Sequence, residues 1–252
     1  MEKTQTAPTL AVLMETYEER RSKVQQFNMT SDVFFGKVLE DKAACQEVVR
    51  ILLNKPDFIV KDVKSQYSIR DMENHSVILD ILAENADGKL INIEMQQSGC
   101  RDQQRRVRYY QSSIDMSSLE KGMSYDAVPD VYLIFITEKD FFGQGSGIYY
   151  VDRVLRHEGK VVDNGVHEVY VNLSASCGNE AIDELLHYMA HSESSYKTTT
   201  FPNVVNRVRF YKEKKEGVDI MCKILEQERM AGIELGIEQG IEQGIEQGIE
   251  QG

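Results

Sequence analysis

The chain has 252 residues, 41% of them hydrophobic and 28% charged, with a formal net charge of −12; this apolar content suffices for one large domain, or a domain with an appendage. No stretch approaches the roughly 20 apolar residues of a membrane span, and no basic region followed by an apolar run opens the chain, so neither a span nor a signal peptide is expected. The acidic balance counts against broad electrostatic binding of nucleic acid, which draws on Lys and Arg. Half of the excess lies from Gly217 onward, where eight acids face Lys223 and Arg229, so any DNA contact must come from a local basic patch.

In chain order, residues 1–31 read as a lead-in, with a polar helix over Leu10–Gln26. Ser31-Asp32 is an N-cap signal, after which one helix is expected over Val33–Asn54, with Phe34, Val38, Cys45, Val48 and Leu52 as its buried stripe. Pro56 closes that region, and Phe58–Val63 and Gln66–Arg70 read as short strands. His75 reads as a loop residue. Cys45, Cys100, Cys177 and Cys222 are scattered without CxxC or zinc spacing, as expected of reduced thiols in a cytoplasmic protein.

The most informative stretch is Val77–Gln96. Val77, Leu79, Ile81 and Ala83 alternate with Ile78, Asp80, Leu82 and Glu84, and Ile91, Ile93 and Met95 alternate with Leu90, Asn92, Glu94 and Gln96. That period of two, with Asn85-Ala86-Asp87-Gly88 between, predicts a β-hairpin. A three-residue loop sets Ala83 against Ile91, Ile81 against Ile93 and Leu79 against Met95, and it sets Asp80 against Glu94. An even loop would bury Asp80 among the isoleucines. Opposed residues have β-carbons roughly 4.5–5.5 Å apart, close enough for two carboxylates to share a divalent cation. The spacing alone equally allows an exposed acidic hairpin face.

Beyond the hairpin, Arg101–Leu119 reads as a helix whose first half carries Arg101, Arg105, Arg106 and Arg108. Arg101, Arg105 and Arg108 share one face, which suits either phosphate contact or a solvated face paired with acids. Tyr109 and Tyr110 offer base stacking or packing under the helix. Val131–Ile136 is a continuous apolar run, the mark of a strand buried on both faces. Ile148–Val151 and Val166–Val171 read as strands, Gly178–His191 and 203–230 as helices. His187 and His191 lie at helical spacing without an HExxH pattern and read as a surface pair. From Gly232 the chain reads GIEL and then GIEQ four times, closing on Gly252. Its four-residue period allows a solvated low-complexity tail or a helix packed against a copy of itself, which would supercoil right-handedly.

Asp80, the hairpin and Glu94-Met95-Gln96 resemble the D…(D/E)xK signature of the PD-(D/E)XK nuclease superfamily, with Gln96 at the lysine position. Asp32…Phe35…Lys37, Leu79–Ala83, Ile91–Gln96 and Arg105 to Tyr110 are similar to the PD-(D/E)XK nuclease family transposases, also described as Rpn-type recombination-promoting nucleases. The resemblance runs from about Asp32 to about Arg153. It implies a restriction-endonuclease-like α/β fold, a mixed sheet flanked by helices with a helical or low-complexity repeat tail. The expected divisions are 1–31, a nuclease-like core over 32–200, a helix over 201–231 and a tail over 232–252. The implied activity is Mg²⁺-dependent hydrolysis of DNA, with Mn²⁺ as a substitute, in recombination or transposition. Asp80, Glu94 and the Met95 carbonyl would hold the metal. Gln96 would orient water, Arg101, Arg105 and Arg108 would contact DNA, and Glu40 or Asp41 would be a third acid, the alternative for either being a solvated helix face. The repeats imply a homo-oligomer. The alternative is a catalytically silent DNA-binding or assembly protein that keeps the fold.

Overall fold

The computed structural model describes residues 16–69, 76–96 and 103–250, so His75, Arg101 and Cys100 lie outside the described residues. Two compact units result: residues 27–209, and residues 1–26 with 210–252.

The larger unit is built on a six-stranded mixed sheet in the order β1-β2-β3-β4-β8-β5. Its strands are β1 (Val60–Ile69), β2 (Val77–Asn85), β3 (Leu90–Gln96), β4 (Val131–Thr137), β5 (Ile148–Val151) and β8 (Val166–Asn172). The short pair β6 (Val154–Leu155) and β7 (Lys160–Val161) stands apart. β1, β2 and β3 run antiparallel, β3, β4 and β8 run parallel, and β5 returns antiparallel on β8. β3 is therefore the strand at which pairing changes type. The helices begin with α1 (Tyr17–Gln25), α2 (Asp32–Leu39) and α3 (Lys42–Leu53), followed by α4 (Gln103–Ser118) and α5 (Glu180–His191). α6 (Pro202–Glu213) and α7 (Lys215–Glu250) complete the seven helices among the described residues. This is the expected restriction-endonuclease-like α/β class.

The predicted hairpin register holds: Ala83 pairs with Ile91 and Ile81 with Ile93. Asn85 N–H donates to the Lys89 carbonyl and Gly88 N–H to the Asn85 carbonyl, closing a three-residue loop in which Gly88 takes φ 80°. The ladder ends at Ile81–Ile93, so the expected Leu79–Met95 pair is not part of it. Beyond that point, the carboxylates of Asp80 and Glu94 take up backbone amides of the facing strands. All seven residues of β4 are buried, as a strand covered on both faces requires. Over β4 lie Val107, Tyr110 and Ile114 of α4, in one cluster with Leu79, Leu133, Phe135 and Tyr170.

Three expected elements differ, one of them the single helix over 203–230, which is the two helices α6 and α7. The single helix over Val33–Asn54 is two helices, because Asp41 caps the second: its Oδ1 accepts from Ala43 N–H and Ala44 N–H, both at 3.0 Å. The apolar stripe runs across this break because α2 and α3 both bury Phe34, Val38, Cys45, Val48 and Leu52. The two strands expected between Phe58 and Arg70 are one strand, β1. Its register runs from Ser65–Ile81 to Tyr67–Leu79 with Gln66 at φ 49° between them.

In the smaller unit, α1 lies along the start of α7. Arg20 Nη1 meets Asp219 Oδ1 at 2.9 Å, and Gln25 Nε2 and Lys212 Nζ donate to the carbonyls of Lys212 and Gln25. The chain breaks between α6 and α7, and a β-carbon on Gly217 would fall on the Phe210 carbonyl, so the close turn there requires glycine. α7 then continues for 36 residues through the repeats. No helix among the described residues is long and apolar enough to cross a membrane.

Asp41→Ala removes the cap that separates α2 from α3. The expected loss is about 1 kcal/mol of unfolding free energy with an unchanged denaturant slope. Urea unfolding followed by circular dichroism measures both.

Candidate active site

The site forms at the carboxyl end of β3, beside the parallel strand β4, where open α/β sheets commonly receive ligands. Period-two alternation places Glu94 and Gln96 on one face, and the odd-numbered loop brings Asp80 alongside. The two acids are held reciprocally. Asp80 N–H donates to Glu94 Oε1 at 3.1 Å, and Met95 N–H donates to Asp80 Oδ2 at 3.0 Å. Gln66 Nε2 reaches Asp80 Oδ1 at a longer 3.4 Å. Its left-handed backbone is a strained conformation for a non-glycine residue, and strain of this kind clusters at functional sites.

Burial dominates the electrostatics. Asp80 is pushed from 3.8 up to about 6, first by burial and further by the charge of Asp32, while the Met95 amide opposes the rise. Glu94, 1% exposed, is raised well above the usual carboxylate range by burial and then by Asp80. Asn92, two residues earlier on the same face, is fully buried, and its side chain opposes the rise at Glu94.

The other expected residues fall into place unevenly. Gln96 is half-buried, and its Oε1 accepts from Arg106 Nη1 at 2.7 Å. Arg105 and Arg108 are exposed on α4, as is Tyr109, whereas Tyr110 is buried beneath the helix. Glu40 lies at the end of α2, where Lys37 Nζ meets it at 2.8 Å and Ser65 Oγ lies at 3.5 Å. The acid whose charge acts on Asp80 is instead Asp32, at the start of the same helix, itself raised by burial. The rings of His187 and His191 lie 4.3 Å apart on α5, tilted by 32°.

The spacing of the arginines alone gives Arg106 no role apart from its neighbours. Arg106 Nε and Nη2 donate to Tyr110 Oη at 2.9 and 2.6 Å, and its charge acts on Asp32, Asp80 and Glu94. The available signal was the stripe Val107, Tyr110, Ile114, which fixes the inward face of α4 and leaves Arg106 at its edge, one turn before Tyr110.

This donor set suits a hard divalent cation, which takes carboxylate, carbonyl and water oxygens. Two buried carboxylates that resist joint ionisation gain from a cation placed between them. Among the described residues no group of three His, Cys, Asp or Glu side chains is placed to hold a metal ion.

A family model described as PD-(D/E)XK nuclease family transposase matches residues 32–187, more than half of the chain. The chain belongs to that family. No curated protein and no solved structure matches it.

Protons retained by Asp80 and Glu94 in the folded chain are released on unfolding. For Asp80 the folded state binds more protons between pH 3.8 and about 6, so stability falls as pH rises through that window. Glu94 acts in the same direction. Glu94→Gln keeps an acceptor for the Asp80 amide without the buried charge. It should raise the unfolding midpoint of the metal-free protein at pH 8, and the gain should shrink towards pH 4. Calorimetry across that range tests this, and an unchanged midpoint at pH 8 would remove the burial argument.

Proposed function

We propose that this nuclease-family chain is a divalent-metal-dependent endonuclease that hydrolyses DNA phosphodiesters, with Mg²⁺ as its ion and Mn²⁺ as a substitute, in recombination or transposition. The observation that carries the reading is the reciprocal anchoring of half-buried Asp80 and buried Glu94, each carboxylate bound to a backbone amide of the facing strand. Asp80 and Glu94 would hold the ion. The Met95 carbonyl, on the same strand edge as the amide that Asp80 engages, would add a main-chain oxygen. The chemistry such an ion supplies is polarisation of the phosphate and activation of a water.

The chain's own residues do the rest. Gln96 can orient water through its amide but carries no charge and cannot act as a base. Arg105 and Arg108, exposed on α4, would contact backbone phosphates and fix the duplex without reading its sequence, and Arg101 extends that run in the sequence. The free thiols Cys45, Cys177 and Cys222 accord with a reducing, cytoplasmic setting.

The repeat helix supports self-association. Ile233, Ile237 and Ile241 form a row on α7 and are 45%, 58% and 59% exposed. A second copy of the helix would cover such a row.

Purified protein with supercoiled and linear DNA, in Mg²⁺, in Mn²⁺ and with chelator, is the direct test. Cleavage should require metal and fall by at least about 10³ in Asp80→Ala. If wild type and variant are equally inactive with every metal, the catalytic reading is lost, and a DNA-binding or assembly protein on the nuclease fold remains. A chain ending at Gly232 should run as a smaller species than the full chain in light-scattering chromatography. Equal stoichiometry of the two would exclude the tail as the assembly element.

A further inference from the structure

We propose that Arg106 supplies, from α4, the fixed positive charge that lysine supplies in the D…(D/E)xK signature, with Gln96 as the group that holds it in place. This rests on the cleavage reading above.

The geometry makes the case. A lysine at position 96 would carry its ammonium one bond beyond the point that Gln96 Oε1 reaches. Arg106 Nη1 stands 2.7 Å beyond that same oxygen. The guanidinium is held from a second side, by Nε and Nη2 to Tyr110 Oη, and it lies 5.1 Å from the Tyr110 ring. Gln96 comes from β3 and Tyr110 from one turn further along α4, so strand and helix fix the fork together. Arg106 is half-buried, a position in which a guanidinium keeps its charge and an exposed pair would be screened. Its charge reaches Asp32, Asp80 and Glu94.

The substitution changes the chemistry available. A lysine can lose its proton and serve as a base, whereas a guanidinium stays charged throughout the working range. Arg106 would therefore stabilise charge that develops on the phosphate, through a bidentate fork. Proton removal from water would fall to another group. Gln96 turns its carbonyl oxygen to Arg106, which assigns it a positioning role.

The test uses the full chain, Arg106→Gln, Arg106→Lys and the double variant Gln96→Lys/Arg106→Gln. Single-turnover cleavage of plasmid DNA is read beside Mn²⁺ affinity measured by electron paramagnetic resonance without DNA. Arg106→Gln should lose about 10²–10³ in rate, while its Mn²⁺ dissociation constant holds or falls, because removing a cation beside carboxylates favours a divalent ion. Arg106→Lys should keep rate to within about tenfold, and the double variant should regain at least about tenfold over Arg106→Gln. Arg106→Gln that cleaves within about threefold of wild type overturns the proposal. So does a loss of rate matched by weaker Mn²⁺ binding and not recovered in the double variant, since that is the pattern of a residue that only supports the fold. A wild-type chain inactive with every metal overturns both this proposal and the nuclease reading, cleavage that needs no metal overturns the metal-bound site on which the proposal rests, and either result is distinct from an active wild type indifferent to Arg106.

Discussion

Two carboxylates lie where the β2–β3 ladder ends, each bound to a backbone amide of the strand that carries the other. Asp80 holds Met95 N–H, and Glu94 holds Asp80 N–H. A charge-assisted bond of this kind is stronger than a neutral one, yet a single amide offsets only part of the desolvation of a buried carboxylate. The remainder appears in the proton affinities, with both groups raised despite the amides that oppose the rise. The hairpin, the ladder that stops at Ile81–Ile93, the kink at Gln66 and the helix α4 all serve to hold this unfavourable pair in position. Stability is given up locally and recovered in the core around Leu133, Phe135 and Tyr170.

How much of this was legible follows from the range over which each signal acts. The hairpin register was readable because period-two alternation and loop length are local, and a slip of one residue would have buried Asp80 among Ile91 and Ile93. The strand β4 was readable because six apolar residues, Val131–Ile136, bounded by Asp130 and Thr137 leave few alternatives. The break at Asp41 was hidden because a buried stripe continues across it, and only the capping role of one aspartate interrupts the helix. The single strand β1 was hidden because Gln66 takes a left-handed backbone that glutamine does not announce. Arg106 was hidden for a different reason. By spacing Arg105 and Arg108 share the exposed face and Arg106 falls off it, and only the packing beneath the helix shows that Arg106 turns to Gln96 and Tyr110.

The acidic balance of the chain and its membership in a nuclease family are reconciled by distribution. Half of the negative excess belongs to the last 36 residues, and the four arginines follow directly from the strand that carries Glu94. Within that run the residues divide by depth. Arg105 and Arg108 face solvent, where long-range attraction to phosphate acts and salt screens it, while Arg106 is turned to Gln96 and Tyr110. A negative body around a small basic strip also limits non-specific adsorption to nucleic acid.

The repeat helix obeys a related logic of local cost and collective gain. Glycine at every fourth place costs about 1 kcal/mol each relative to alanine, so the repeats alone form a marginal helix. The same glycines remove side chains from one row and let another backbone approach closely. Isoleucine at a four-residue spacing drifts by about 40° per repeat on a 3.6-residue helix. Over the four steps from Ile233 to Ile249 the row therefore turns through about 160°, too far for a straight neighbour to follow. A partner that wraps right-handedly can follow it, and an identical helix carries the same drift. The repeat is thus better matched to its own copy than to a flat surface.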